Sequence, residues 1–295
     1  MSGNKKQSYI KSPLNYMGGK YAILGDILPL FPAHINKFVD LFAGGLNVGI
    51  NVNAKTIFVN DQLDYLVELY EYLRKIPTTT ILSDIEKKIK KYNLDRHNTA
   101  GFNSLRHDYN VKQNPLDLFV LTCFSFNHQI RFNSSFQFNT PFGKERSSYN
   151  NSIKNNLIAF CNKLKEGNFV FTSKDFRKFP FSSLTVKDVV YCDPPYLITN
   201  GSYNDGKRGF DTWTEKEDIA LFKKLDSLAR KGVPFYLSNV FCHKGQTNER
   251  LIEWSRKYRV IFIEKNYSNC NYQFKRKNTE TKEVLITNFG VKYDK

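Results

Sequence analysis

The segment best suited to chemistry is an apolar run, 188–192, that is followed by Asp193, Pro194, Pro195 and Tyr196. Ligands of open α/β sheets gather at the carboxyl ends of strands, so a strand at 188–192 would present Asp193 to a bound molecule. Because proline has no N–H and a fixed φ, the two prolines leave rigid carbonyl groups that accept hydrogen bonds. Asp193 and the Pro194 carbonyl could each accept one hydrogen of an aromatic amine, and these two hydrogen bonds would aim the lone pair of the amine at a methyl donor. Tyr196 could stack on the nucleobase that carries the amine. The alternative is a structural turn after a strand.

Two other strand ends carry groups that suit a nucleoside cofactor. Gly44 and Gly45 follow an apolar run at 37–42, and a backbone without side chains there allows a ligand to approach closely. Asp61 follows a second short run at 56–60, where a carboxylate can accept hydrogen bonds from both ribose hydroxyls. Glycine pairs also end many ordinary strands, and Asp61 could instead cap the next helix.

Strands that alternate with helices would position these groups. After 37–42 the chain is expected to pass through Ala43, Gly44 and Gly45 into a helical segment, and 56–60 precedes an amphipathic helix at 63–73. Alternation resumes later, with predicted strands at 168–172, 188–192, 233–238, 259–264 and 283–288 and predicted helices at 215–230 and 248–257. This pattern predicts an α/β fold with a mostly parallel, doubly wound sheet.

Residues 77–166 differ in character from the segments on either side. They are polar and helix-rich, show no strand-helix alternation, and contain a basic run of Lys87, Lys88, Lys90 and Lys91. Near their end, 129–143 has phenylalanines that alternate around Asn-Ser-Ser, which predicts a hairpin. We therefore predict an insertion at 77–166 in a catalytic domain formed by 1–76 and 167–295.

The charge balance favours a nucleic-acid partner. The chain has 44 Lys and Arg against 28 Asp and Glu, a formal net charge of +16 and a pI near 9.5. A small domain needs a net charge of only about 2 to 8 for solubility, so the excess favours a polyanionic partner. Ordinary solubility charge is the alternative.

Cysteine spacing and hydropathy indicate whether the protein binds a metal, forms disulfides or crosses a membrane. The five cysteines are scattered, without a CxxC pair or histidines at zinc-ligand spacing, so we expect neither a metal site nor disulfides. No apolar run approaches the roughly 18 residues of a membrane span, and the first residues lack the apolar core of a signal peptide. We therefore expect a cytoplasmic protein that does not cross a membrane. A monomer in solution is a separate expectation.

Four segments resemble the motifs of one known family, and they follow one another along the chain in the order of that family's motifs. Residues 193–196, DPPY, resemble the catalytic signature of amino-methyltransferases. The N-terminal segment 15–20, NYMGGK, the glycine-rich segment 38–45, FVDLFAGG, and the pair 60–61 resemble those of the Dam-like DNA adenine methyltransferases, the D12 class of the alpha group. The resemblance covers most of 15–289. It implies a Rossmann-like S-adenosylmethionine-dependent methyltransferase sheet with a helical target-recognition insertion.

The resemblance also implies roles for individual residues. It implies S-adenosylmethionine as the methyl donor, with Tyr16 and Lys20 against its methionine part and Asp175 near its adenine, although Asp175 could simply cap a turn. Asp193 would orient an adenine N6 amine, and Tyr196 would hold the flipped base. The implied cofactor residues are Tyr16, Lys20, Phe42, Ala43, Gly44, Gly45, Asp61 and Asp175, and the implied catalytic residues are Asp193, Pro194, Pro195 and Tyr196.

In this family the insertion reads the target sequence of duplex DNA. Here its hairpin carries four side chains suited to base edges in the major groove, Arg131, Asn133, Gln137 and Asn139. For any one of them, phosphate contact or plain exposure is an equally good interpretation. The resemblance implies a site-specific adenine-N6 DNA methyltransferase, with GATC as the first sequence to test. Two alternatives stay open, namely the same chemistry on RNA adenine or cytosine N4, and a catalytically silent DNA-binding protein on this scaffold.

Overall fold

The computed structural model describes residues 9–199, 213–263 and 281–290, and one sheet forms the centre of the molecule. Its strands are β1 (Lys37–Asp40), β2 (Thr56–Asn60), β3 (Phe169–Thr172), β4 (Val189–Cys192), β5 (Phe235–His243), β6 (Gln246–Thr247), β7 (Arg259–Ile263) and β8 (Lys282–Thr287). Their order is β3-β2-β1-β4-β5-β8-β7, with β6 paired to β5. Neighbours among β1 to β5 are parallel, whereas β8 is antiparallel to both β5 and β7. The amino end of β8 therefore lies at the same edge of the sheet as the carboxyl ends of β1, β4 and β5.

Helices cover both faces of the sheet. They are α1 (Leu24–Ile27), α2 (Asp64–Lys75), α3 (Thr78–Lys91), α4 (Thr99–Lys112), α5 (Pro115–Phe124), α6 (Asn151–Glu166), α7 (Glu215–Arg230) and α8 (Glu249–Ser255). Successive strand residues point to opposite faces, so Phe38 and Tyr191 enter a core with α2, α5 and α6, while Val39 and Val190 enter a second core with α7 and α8. Strands buried on both faces are typical of parallel sheets between helix layers.

The predicted α/β fold with a mostly parallel sheet is confirmed. β2 and α7 have the predicted bounds, 56–60 and 215–230. β5 continues to His243 instead of ending at 238, because its later residues pair with β8 and β6. The predicted last residue of β7, Glu264, lies outside the described residues.

The helix predicted after β1 is wrong. The glycine-rich loop leads only to a short 3-10 turn, Gly49–Asn51, before β2 begins. Glycine and asparagine recur through 44–53, and both are poor residues for a helix interior. Instead, the Gly49 amide donates a hydrogen bond of 3.0 Å to the carboxylate of Asp40, which folds the segment back against the end of β1.

The segment 77–166, all of which the structure describes, contains α3 to α6 and no regular strand. Its hairpin at 129–143 is held by isolated bridges, one of which joins Phe132 to Phe138. Both rings are buried, and Phe132 also packs on Tyr65 of α2 with ring centroids 4.6 Å apart. Because the insertion shares a continuous core with α2, its division from the rest of the chain as a separate domain stays a prediction.

Candidate active site

The glycine-rich loop at the end of β1 is shaped by a tyrosine from the N-terminal segment. Gly44 has a φ of +45°, and a Cβ there would lie 2.9 Å from two ring carbons of Tyr16. A Cβ on Gly45 would lie 3.0 Å from the Tyr16 Cβ. The Tyr70 hydroxyl donates a short hydrogen bond to the Gly44 carbonyl. From the sequence alone, the close approach of a ligand explains these glycines. The structure adds a second reason, because Tyr16 leaves no room for a side chain at either position.

Asp61 ties the same loop to the start of α2. One carboxylate oxygen accepts a hydrogen bond of 2.8 Å from the Gly44 amide, and the other accepts one of 3.0 Å from the Leu63 amide. The Ala43 amide donates to the Asn60 carbonyl at 2.9 Å, so the loop is held at two adjacent points. Asp61 therefore bonds to Leu63, the N-cap residue of α2, but does not itself occupy the N-cap position.

The N-terminal turn delivers Lys20 into the site. The Gly19 amide donates to the Tyr16 carbonyl, and Gly18 has a φ of +76°, a backbone conformation that glycine adopts readily. The Lys20 side chain is only 5% exposed, and its Nζ donates to the Gly18 carbonyl at 2.9 Å. The same Nζ lies 2.6 Å from Asp193 Oδ2. The structure thus brings together a residue predicted for the cofactor and one predicted for catalysis.

The predicted catalytic segment follows the buried strand β4 directly. The Tyr196 hydroxyl donates to Asp193 Oδ1 at 2.9 Å, and Lys20 Nζ lies 5.2 Å from the centroid of the Tyr196 ring. Pro194 is buried and Pro195 half-buried, so the backbone between the two functional side chains is rigid. Burial raises the pKa of Asp193, although the charge and hydrogen bond of Lys20 and the hydrogen bond of Tyr196 oppose this rise.

Two buried carboxylates of this site were missed as functional residues. Asp40, at the end of β1, has its pKa raised to about 7 by burial, and the negative charges of Asp193 and Asp61 add to the rise. Glu283, near the start of β8, has Oε1 3.8 Å from Lys20 Nζ. Asp40 could have been found from its position at a strand end. Glu283 could not, because its place depends on the antiparallel direction of β8.

Asp175 and Phe42 lie in an aromatic region next to the loop. Asp175 accepts a hydrogen bond of 2.8 Å from the Arg177 amide and forms an ion pair with the Arg177 guanidinium, whose hydrogen bonds lower the pKa of Asp175. Capping of a turn, the alternative given for Asp175, is therefore present. The next residue, Phe176, contacts Phe42 with ring centroids 5.4 Å apart, and Trp213 contacts both rings.

The four hairpin residues predicted to read bases form two mutually bonded pairs. Arg131 Nε donates to Asn139 Oδ1 at 3.0 Å, and Asn133 Nδ2 lies 3.4 Å from Gln137 Oε1. Arg131 and Gln137 are exposed, and the two asparagines are half-buried. Pairing fixes the orientation of these side chains at the surface. The residue before the hairpin that contacts the N-terminal motif is Asn127, whose carbonyl accepts a hydrogen bond from Asn15.

The lysine run of α3 is largely neutralised by acidic side chains of the protein itself. Lys87 pairs with Asp84 at 2.9 Å, Lys88 with Asp117 at 2.5 Å and Lys91 with Asp108 at 3.7 Å. Most of this run therefore contributes less free positive charge than its sequence indicates.

Within 9–199, 213–263 and 281–290, no helix has the length and apolar character needed to cross a bilayer. Over the same ranges, no group of three or more histidine, cysteine or acidic side chains is arranged to hold a metal ion.

The fold and the site define a class. A mostly parallel sheet with an antiparallel strand between β5 and β7, a glycine loop after β1, an acidic end to β2 and an Asp-Pro-Pro-Tyr segment after β4 are the features of an S-adenosylmethionine-dependent methyltransferase fold. Residues 16–282 match the family described as D12 class N6 adenine-specific DNA methyltransferase, and the chain belongs to this family. The description of this family names adenine in DNA, and not RNA or cytosine, as the methylated group.

The chain is also similar to individual members of the family. It is 49% identical to the Type II methyltransferase M.FokI of Planomicrobium okeanokoites over 97% of this chain and 44% of that protein. It is 48% identical to the modification methylase StsI of Streptococcus sanguinis over 99% of this chain and 44% of that protein. The DNA adenine methylase of Escherichia coli (strain K12) is 25% identical over 77% of this chain and 79% of its own length. The chain thus spans less than half the length of the first two relatives.

Proposed function

We propose that this protein transfers a methyl group from S-adenosylmethionine to the N6 amine of an adenine flipped out of duplex DNA. The observation that carries the proposal is the geometry after β4, where Asp193 has one oxygen 2.6 Å from Lys20 Nζ and the other 2.9 Å from the Tyr196 hydroxyl. Membership of the D12 class supports an adenine amine as the group that this carboxylate receives. Similarity to a Type II methyltransferase and a modification methylase supports a role in restriction-modification.

The charges around the glycine loop fit the proposed cofactor. The charges of Asp61 and Asp193 both act on Asp40, and the Lys20 ammonium contacts Asp193. A cluster dominated by carboxylates suits a ligand that carries a sulfonium and an ammonium. When bound, S-adenosylmethionine supplies a methyl group activated by its attachment to the sulfonium sulfur. The residues that would hold it are Tyr16, Lys20, Phe42, Ala43, Gly44, Gly45, Asp61 and Asp175.

The side chains of the protein position the amine and form no covalent bond to it. Asp193 accepts one N6 hydrogen without giving up its contacts with Lys20 and Tyr196, because each carboxylate oxygen has two lone pairs. The Pro194 carbonyl accepts the second hydrogen while Pro195 keeps the turn rigid, and the Tyr196 ring stacks on the base. Asp193 also stabilises the positive charge that develops on N6, and water takes up the proton that leaves.

We assign recognition of the DNA sequence to 77–166, and within it to the hairpin. Arginine matches the edge of guanine, and asparagine and glutamine match the edge of adenine, in the major groove. The hydrogen bond from Asn15 to the Asn127 carbonyl joins the N-terminal motif to the segment that leads into the hairpin. The candidates for base contacts are Arg131, Asn133, Gln137 and Asn139.

The proposal is tested by offering the protein labelled S-adenosylmethionine with unmethylated plasmid DNA or with RNA of matched sequence. We expect label in duplex DNA and not in RNA, with modified adenines mapped by sequencing to one recurring sequence. GATC is examined first. Label in RNA alone, or binding of DNA without any incorporation, would overturn the proposal in favour of an alternative.

A further inference from the structure

A second carboxylate reaches the ammonium group that contacts Asp193. Glu283 is the second residue of β8, and because this strand is antiparallel its first residues lie beside the end of β5, with Glu283 opposite Val240. Its side chain is 3% exposed. Lys20 Nζ lies 3.8 Å from Glu283 Oε1 and 2.6 Å from Asp193 Oδ2, so one buried ammonium lies within ion-pair distance of two carboxylates.

We propose that Glu283 is a positioning residue for methyl transfer, which acts by sharing Lys20 with Asp193. It holds the ammonium in place and limits the extent to which Lys20 neutralises Asp193. An ionised Asp193 therefore presents a stronger negative potential to the N6 amine. This inference rests on the proposed function.

The physical reason lies in where charge moves during the reaction. The N6 lone pair forms the new N–C bond, the electron pair of the S–C bond stays on sulfur, and the positive charge passes to N6 until a proton leaves to water. An ion pair of Lys20 with Asp193 alone has no net charge, so it would stabilise the positive charge on N6 only weakly. A further carboxylate on Lys20 strengthens the negative potential at Asp193, and such interactions count for more away from bulk water. The transition state gains more than the ground state, because N6 is uncharged before the reaction.

The pH dependence of turnover follows from the same groups. Asp193 is influenced by Lys20 from the N-terminal turn, Tyr196 from its own segment, Glu283 from β8 and Asp40 from β1. Burial is the main cause that raises the pKa of Asp193, and the negative charge of Glu283 adds to it. A neutral residue at 283 lowers this pKa. Since Asp193 accepts the amine only when ionised, the acidic limb of the pH profile then moves to lower pH.

The test compares the wild type with Glu283→Gln and Glu283→Asp. Asp226→Asn is the matched control, because Asp226 also pairs with a lysine, Lys257 at 2.8 Å, but lies among residues of α7 and α8. We expect Glu283→Gln to lower kcat about tenfold to a hundredfold and Glu283→Asp to recover part of the loss. Calorimetry should find Kd values for S-adenosylmethionine and for DNA within about threefold of the wild type.

The outcomes separate this inference from the function on which it rests. A lower kcat with nearly unchanged Kd values and an acidic limb moved to lower pH supports the role of Glu283. An unchanged kcat, or a fall that matches the control and leaves the acidic limb in place, overturns it. If Glu283→Gln does not fold, Glu283→Asp decides by the same two criteria. A wild type that transfers no methyl group overturns the proposed function itself, and this inference with it.

Discussion

Gly44 is the residue of the loop where the structure leaves least room for a side chain. Its φ is +45°, and an added Cβ would lie 2.9 Å from the Tyr16 ring. We expect Gly44→Ala to lower the free energy of unfolding by about 1–3 kcal/mol, as measured by denaturant titration. Gly25→Ala is the matched control, since a Cβ there meets nothing within 4 Å.

A double-mutant cycle with Tyr16→Ala separates the two causes of this loss. Removing the ring relieves the steric contact but leaves alanine at position 44 with a positive φ. The loss caused by Gly44→Ala should therefore be smaller, but not zero, in the Tyr16→Ala background. Equal stability of Gly44→Ala and Gly25→Ala would contradict the described contact between loop and ring.

The carboxyl of Asp40 makes stability depend on pH. Its folded pKa is about 7 against an ordinary value of 3.8, so between these values the folded state holds a proton that the unfolded state has lost. The free energy of unfolding therefore falls as pH rises across this interval. Asp40→Asn keeps an acceptor for the Gly49 amide and does not titrate. Its stability relative to the wild type should rise between about pH 4 and pH 8, on the order of 1–4 kcal/mol.

Thermal or denaturant unfolding at several pH values checks this expectation. The difference between the Asp40→Asn and wild-type curves should grow with pH and level off above the folded pKa. Two curves that stay parallel over the whole range would show that Asp40 does not hold its proton in the folded protein.

At the scale of elements, the lysines of α3 illustrate the difference between charge in the sequence and charge available to a ligand. Lys88 is paired at 2.5 Å with Asp117, a carboxylate only 5% exposed. Lys88→Ala leaves that carboxylate without this ion pair, and we expect it to lower the free energy of unfolding by about 1–3 kcal/mol. DNA affinity should hardly change. Exposed Lys90 in the same helix provides the control, Lys90→Ala.

Binding of duplex DNA, measured by fluorescence anisotropy, completes this comparison. Arg131→Ala in the hairpin should weaken binding of the target sequence, whereas Lys88→Ala should not. A larger loss of DNA affinity in Lys88→Ala than in Arg131→Ala would place the DNA on α3 instead of the hairpin.

The hydrophobic pattern, together with the residues that follow each predicted strand, allowed much of this architecture to be predicted. The bounds of β2 and α7 followed from their hydrophobic patterns, and the strand-end rule placed Asp193 and Asp61 at one edge of the sheet. Pattern carries no strand direction, so the antiparallel course of β8, and with it the position of Glu283, could not be predicted. The helix expected after Gly45 is absent because glycine and asparagine, both poor helix formers, recur in that segment.

Contacts between residues that are far apart in the sequence could not be predicted either. Lys20 was expected to contact the cofactor, and nothing in the sequence pairs it with Asp193 at 2.6 Å. Spacing could not show that Tyr16 fills the space above Gly44. Such contacts depend on how the N-terminal turn packs on the sheet edge, which local pattern does not specify.

For the whole molecule, the formal charge of +16 predicts strongly salt-dependent DNA binding. The logarithm of the association constant should fall with the logarithm of salt concentration, with a slope near −0.9 for each phosphate neutralised. We expect affinity for duplex DNA to drop by about a hundredfold or more between roughly 50 and 200 mM salt. Anisotropy titrations over this range measure the slope. A flat dependence would remove the electrostatic contribution inferred from composition.

The central claim is that Asp193 directs methyl transfer to the N6 amine of adenine. It is tested most directly by mass spectrometry of nucleosides from plasmid DNA treated with S-adenosylmethionine and either the wild type, Asp193→Ala or the control Asp226→Asn. We expect N6-methyladenine from the wild type and the control, and at least about a hundredfold less from Asp193→Ala. N4-methylcytosine as the product, or undiminished N6-methyladenine from Asp193→Ala, would contradict the claim.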